Sequence, residues 1–103
     1  MSTTKDYIEY IVDQLDNSDK IHIRAMFGEY ALYYDEKVVA FVCDNQAFVK
    51  INSYTEHILG SRYQKGPAYK GSKDYYVLGD EVLEDSKLFM EVVRECAKGV
   101  KRK

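Results

Sequence analysis

Two histidines and two cysteines are the first side chains to consider for chemistry in this chain of 103 residues. His22 occupies a polar position in an alternating run, and His57 lies in a short predicted helix. Neither has a partner at the spacing of a catalytic motif, so both are interpreted as surface or packing residues. Cys43 and Cys96 form no Cys-x-x-Cys pair, which argues against a zinc or thioredoxin-like site. We therefore expect no catalytic residue, metal or cofactor, and no enzyme activity.

The cysteines also bear on where the protein resides. Cys43 ends the most apolar run of the chain, and Cys96 lies on the apolar stripe of the last predicted helix. Both are interpreted as small buried hydrophobic residues with reduced thiols. No signal peptide is recognisable, and no apolar stretch approaches the roughly 20 residues needed to span a bilayer. These features predict a cytoplasmic protein that does not contact membranes.

A basic and aromatic segment, residues 62–76, is the strongest candidate for a binding surface. It carries four cations and no acidic residue up to position 73, with tyrosines interleaved. Such mixtures can stack on bases and contact phosphates, so direct nucleic-acid binding is one alternative. The formal net charge of -2 argues against binding that is driven by charge alone. Acidic terminal helices and a basic middle segment favour a protein contact instead.

The elements that would position these residues form one α+β domain over residues 1–103. Apolar periodicity and turn signals predict a helix, three antiparallel strands, a helix, two strands and a final helix. The predicted ranges are a helix over 4–16, strands within 20–51, a capped helix from 53, a short strand at 68–70, a strand over 74–78, a lead-in turn at 80–84, a last helix, and a basic frayed tail at 99–103.

Local signals mark the ends of several elements. Asp44-Asn45 predicts a tight turn, because both residue types tolerate the left-handed backbone. Ser53 and Glu56 have the spacing of a capping box at the start of the second helix. Met26-Phe27-Gly28 is an unusually apolar turn, which indicates either core residues that clamp the first helix or a contact surface. The strand edges of this arrangement also allow a homodimer.

The pattern around this turn resembles the TfoX/Sxy N-terminal domain family over about residues 5–98. The matching segments are Arg24-x-Met26-Phe27-Gly28, Tyr30-x-Leu32-Tyr33, Val39-Ala40-Phe41-Val42, Phe48-x-Lys50, Tyr69, Tyr75-Tyr76 and Val82-Leu83-Glu84-Asp85. Family members commonly carry glycine where this chain has Glu29 and Ala31.

This resemblance implies a fold similar to bacterial secretion chaperones, in the element order predicted above. It also implies a non-enzymatic regulator of transcription or natural competence that works by protein contacts, with the transcription machinery as the expected partner. Full-length members carry a C-terminal helical domain, which this chain is expected to lack.

The predicted interaction surface combines the turn region with the basic and aromatic segment. Its candidate residues are Arg24, Phe27, Glu29, Tyr30, Arg62, Lys65, Tyr69, Lys70, Lys73 and Tyr75. A second alternative to protein binding is a small ligand-binding protein with a pocket formed by Arg24, His22 and tyrosines.

Overall fold

The computed structural model describes residues 3–15, 20–26 and 29–100, apart from the side chain of Met26. Within these ranges the chain forms four helices and six strands. They follow one another as α1 (Lys5–Asp13), β1 (Ile21–Met26), β2 (Glu29–Tyr34), β3 (Lys37–Cys43), β4 (Gln46–Val49), α2 (Ser53–Leu59), β5 (Lys65–Pro67), β6 (Asp74–Leu78), α3 (Asp80–Leu83) and α4 (Ser86–Lys98).

All six strands belong to one antiparallel sheet with the order β1-β2-β3-β4-β6-β5. The turns between β2 and β3 and between β3 and β4 each contain two residues with positive φ. These residues are Asp35, Glu36, Asp44 and Asn45, with φ between 51° and 66°. Two consecutive left-handed residues give a turn whose twist matches that of the flanking strands. The prediction of a tight turn at Asp44-Asn45 is confirmed.

A bulge in the sheet sets which residues of β3 face which side. The register between β2 and β3 shifts at Leu32 and Tyr33, so that Val39 is an extra residue on β3. As a result the adjacent residues Val39 and Ala40 are both buried in the same core cluster. Phe41 belongs to a second cluster on the opposite side of the sheet. We call the two sides the helix-side face and the outer face.

The helix-side face carries the main core. All four helices bury apolar side chains in this one cluster, and α4 contributes most of them because its apolar residues recur at spacings of three and four. Thr4 caps the start of α1, because its hydroxyl accepts a hydrogen bond from the backbone N–H of Tyr7. The residues that the helices contribute include Ile8, Ile11, Leu59, Val82, Leu83, Phe89, Val92, Val93 and Cys96.

The cap of α2 lies one residue earlier than the sequence predicts. Asn52, rather than Ser53, accepts hydrogen bonds at 3.0 Å from the backbone N–H groups of Tyr54 and Thr55. The Thr55 hydroxyl accepts in return from the Asn52 backbone N–H at 2.9 Å, which completes the capping box. Asn52 Nδ2 also donates to the backbone oxygen of Cys96 at 3.1 Å. Asparagine is therefore the better cap here, because its amide also connects α2 to α4.

The α+β fold class is confirmed, while three details differ from the prediction. Residues 20–51 contain four strands instead of three, because each of the four apolar runs forms its own strand. The short strand lies at Lys65–Pro67 instead of 68–70, which form a turn. Residues 80–83 form the helix α3 instead of a lead-in turn.

Candidate interaction surface

The outer face of the sheet carries a row of side chains that crosses five strands. The register places Arg24, Ala31, Phe41, Phe48 and Val77 opposite one another from β1 to β6. Arg24 is exposed at one end of this row, and Phe48 is buried near the other. The buried apolar side chains of the four helices belong to the other face. The part of the outer face around the buried Phe48 must therefore be covered by something else.

The segment from Ala68 to Lys73 supplies this cover. Ala68 is buried in the same cluster as Phe48. The Ser72 hydroxyl accepts hydrogen bonds from the backbone N–H groups of Ala68 and Tyr69 at 3.0 and 3.3 Å. The Ser72 backbone N–H donates to the Tyr69 carbonyl at 3.0 Å. These bonds fix the backbone that carries Tyr69, so the tyrosine is held in place by its own turn.

Three aromatic rings meet beneath and at the surface of this turn. The Phe41 ring lies 5.6 Å from that of Tyr75 and 6.3 Å from that of Tyr69, both edge-to-face. This geometry is favourable for aromatic pairs. Tyr75 is only 4% exposed, whereas Tyr69 is 53% exposed. We call Phe41, Tyr69 and Tyr75 the aromatic cluster, whose outermost ring is that of Tyr69.

The cations of the basic and aromatic segment are divided between different places. Lys73 Nζ lies 5.9 Å from the ring centre of Tyr75, which places it beside the aromatic cluster. Lys65 lies opposite Tyr76 in the β5–β6 register, and its Nζ lies 5.2 Å from the centre of the Tyr76 ring, on the helix-side face. Arg62 lies 5.8 Å from the ring centre of Tyr63. The segment therefore does not present its charges on one surface.

The turn region is also divided. Arg24 is exposed on the outer face, while Tyr30 is half-buried against the helix-side core. Phe27, the other aromatic candidate of this region, lies outside the described residues, as does the side chain of Met26. The structure thus brings Tyr69, Lys73 and Tyr75 together but separates Tyr30 from them.

Glu29 has a structural partner that sequence reasoning missed. Its Oε1 accepts hydrogen bonds at 2.8 Å from both the backbone N–H and the hydroxyl of Thr3. Its Oε2 accepts from the Asp44 N–H at 3.1 Å. The buried Thr3 hydroxyl also accepts from the Asn45 N–H at 3.3 Å. Glu29 therefore ties the start of the chain to the β3–β4 turn, over separations that no local motif reveals.

The site of the alternative small-molecule pocket is an open hollow. His22, Ile23, Arg24, Tyr33 and Glu36 line a surface depression of about 350 Å³ on β1 and β2. The side chains of His22, Arg24 and Glu36 are exposed, so the hollow does not enclose a ligand. Over the described residues, no group of three or more His, Cys, Asp or Glu side chains could hold a metal ion.

Comparison with known proteins identifies the family of this chain. A family model described as the TfoX N-terminal domain matches residues 13–99. The chain belongs to the TfoX N-terminal domain family. The family predicted from the sequence is therefore confirmed, and the match includes the whole aromatic cluster. A similar protein from Spirochaeta aurantia, described as an uncharacterized 12.7 kDa protein in the trpE 5' region, is 38% identical over 97 residues. The alignment covers 94% of this chain and 83% of that relative.

The two cysteines of this TfoX N-terminal domain are buried and free, as the sequence predicts. Cys43 belongs to the outer cluster and Cys96 to the helix-side core, so the sheet lies between them. The pKa of each thiol is raised to about 11, mainly by burial. For Cys43 the charges of Glu29 and Asp44 contribute to this rise. Both cysteines are therefore poor nucleophiles at neutral pH.

No described helix of this TfoX N-terminal domain has both the length and the apolar character that a bilayer-spanning segment requires.

Proposed function

We propose that this TfoX N-terminal domain is a non-enzymatic protein that binds a protein partner through the aromatic cluster. One observation carries the proposal: the outermost ring of a packed aromatic cluster is half exposed on the sheet face that the helices leave open. The Tyr69 ring packs edge-to-face on Phe41, and about half of the side chain stays in water. Tyr69 therefore combines a fixed backbone with a ring that a partner can contact.

The chemistry of Tyr69 suits protein recognition. A tyrosine supplies a large contact area at low conformational cost, and its hydroxyl can still form a hydrogen bond. Such residues are enriched among those that dominate binding energies. The exposed Lys70 follows Tyr69 directly, and the exposed Lys73 lies four residues after it. Arg24 lies at the far end of the same face. The expected partner surface therefore has an apolar pocket for the ring and acidic residues around it.

The proposed biological role is regulation of transcription or competence in the cytoplasm, with a component of the transcription machinery as partner. Family membership supports this role, since the resemblance implies regulators that act by protein contacts. The two buried, free thiols are in keeping with a reducing compartment.

The chain offers a matched control for a test of partner binding. Tyr54 is 40% exposed and lies on α2, away from the outer face. Crosslinking in cells, followed by identification of the captured proteins, is carried out with the wild type, Tyr69→Ala and Tyr54→Ala. We expect one recurring partner that Tyr69→Ala loses by about tenfold or more and Tyr54→Ala retains. Equal capture by both variants would contradict the proposal.

Nucleic-acid binding is the second candidate, because Tyr69 is flanked by the exposed Lys70 and lies near Lys73. Single-stranded oligonucleotides are titrated at low and high salt, since phosphate contacts make affinity fall as salt rises. This function predicts weaker binding and a smaller salt slope for Lys73→Ala, with Lys65→Ala as the control from the other side. An absence of binding at low salt removes this candidate.

A further inference from the structure

The two edges of the sheet are protected very differently. β5 forms one edge with only three residues, and these include Lys65 and Pro67. Short length, lysine and proline are devices that prevent edge strands from pairing with other chains. β1 forms the other edge with six residues, Ile21–Met26, and contains neither lysine nor proline. Its one permanently charged side chain, that of Arg24, lies on the outer face. Among the described strands only β2 pairs with β1.

The hydrogen-bond phase of β1 shows which backbone groups face outward. The Asp35 N–H donates to the Lys20 carbonyl at 2.7 Å, and this pair continues the β1–β2 register. Opposed residues in antiparallel strands alternate between hydrogen-bonded and non-bonded pairs. His22 and Arg24 therefore bond to β2. The intervening residues Ile21, Ile23 and Ala25 direct their backbone groups away from the sheet.

We propose that β1 is a self-complementary edge that pairs antiparallel with β1 of a second copy of this chain, with the two-fold axis at Ile23. In this register Ile23 faces Ile23 of the second copy, and Ile21 faces Ala25. Each of these outward-facing residues then forms two backbone hydrogen bonds with the residue opposite it in the second copy. The two six-stranded sheets join into one continuous sheet.

The position of the axis follows from the strand itself. A two-fold axis at any other residue leaves at least one of Ile21, Ile23 and Ala25 without a partner among the three. The axis at Ile23 pairs all of them. This inference does not depend on the aromatic cluster or on the proposed partner.

The side chains agree with this register. Ile21 and Ile23 are half-buried and pack against the helix-side core. In the pair they lie beside Ala25 and Ile23 of the second copy, so their exposed parts gain apolar neighbours. On the outer face His22 lies opposite Arg24, which extends the row of Phe41 and Arg24 across both copies.

The test uses the fact that residue 23 faces itself. Ile23→Lys and Ile23→Glu each place two like charges directly opposite in the pair, whereas a mixture of the two variants places opposite charges there. Molecular mass is measured by sedimentation velocity over a hundredfold range of concentration, and circular dichroism checks that each variant is folded. Lys65→Glu on the protected edge is the matched control.

We expect a dimer for the wild type and Lys65→Glu, monomers for each Ile23 variant alone, and recovery of the dimer in their equimolar mixture. Recovery on mixing distinguishes edge pairing from simple loss of folding. A wild type that is monomeric at all concentrations, or Ile23 variants that remain dimeric alone, would overturn the proposal.

The register has its own test should the charged variants fail to fold. Ile23→Cys is expected to form an intermolecular disulfide under mild oxidation, because the two Cα atoms lie about 5.5 Å apart in a hydrogen-bonded pair. Ile21→Cys is expected to crosslink with Ala25→Cys but not with itself. A crosslink of Ile21→Cys to itself, with none at position 23, would exclude this axis.

Discussion

The two faces of the sheet are buried by different means. Four helices cover the helix-side face, and side chains such as Phe89, Val92 and Val93 are almost wholly excluded from water. One turn covers the outer face, and its covering residue Tyr69 is half exposed. Helices bury many side chains at once and stabilise the fold, whereas a single turn leaves a surface that a partner can complete. The same sheet thus separates the residues that maintain the structure from those proposed to bind.

The largest loss of stability is expected when a side chain on the helix-side face is truncated. Phe89 is 1% exposed in the centre of the helix-side core. Phe89→Ala should lower the free energy of unfolding by about 3–5 kcal/mol, because it removes buried surface and leaves a cavity. Urea denaturation followed by circular dichroism measures this loss. A loss below about 1 kcal/mol would mean that this face is not the main source of stability.

Stability at alkaline pH tests whether water is excluded from the two cysteine thiols, one of which lies on each side of the sheet. Each thiol has a pKa of about 11 in the fold, against an ordinary value of 9, mainly because of burial. The folded state keeps both protons between pH 9 and 11, while the unfolded chain releases them. The stability from this source is complete below pH 9 and is lost as pH rises through 11. For Cys96 we expect roughly 2 kcal/mol less unfolding free energy at pH 11 than below pH 9. The loss is expected to be smaller for Cys43, because part of its pKa shift comes from the charges of Glu29 and Asp44 near the surface.

Urea denaturation at pH 8 and pH 10.5 provides the measurement for this effect. Burial also raises the pKa of Tyr75 and Tyr76, which adds to the loss in the same direction. Cys96→Ala and Cys43→Ala therefore serve as controls, since each should reduce the loss of stability between the two pH values. Stability that is constant or rises over this range would show that the thiols are hydrated in the fold.

A smaller loss of stability is expected when Phe41 is truncated, because this side chain is only half-buried on the outer face. Phe41→Ala should cost about 1–2 kcal/mol, since part of its surface is in water before the substitution. It should also loosen Tyr69, whose ring it contacts edge-to-face. The same urea experiment measures the cost, and a loss equal to that of Phe89→Ala would remove the distinction between the faces.

Local chemistry made much of the fold predictable from the sequence. Asp44 and Asn45 identify their turn because few residue types tolerate positive φ. The apolar stripe of α4 identifies its buried face. The Ser-x-x-Glu pattern predicts the cap of α2 at Ser53, whereas Asn52 forms the cap with equally local bonds, and its additional bond to α4 arises only in the fold.

The candidate surface was less predictable because it depends on long-range contacts. Tyr69 and Tyr75 have the same side chain and lie in one segment, yet one is exposed and the other buried. Their difference arises from packing on Phe41, which is distant in sequence. Phe41 itself could have been noticed, since it alternates with Ala40 and Val42 and must face the other side of the sheet. The contact between Thr3 and Glu29 has no such signal.

The comparison of Tyr69→Ala with Tyr54→Ala tests the central claim most directly. Both tyrosines are large and exposed, and they lie on different sides of the molecule. Each variant should change the free energy of unfolding by less than about 1 kcal/mol. Quantified crosslinking in cells should show that Tyr69→Ala alone loses the partner. Retention of the partner by Tyr69→Ala, or its loss with Tyr54→Ala alone, would contradict the assignment of binding to the outer face.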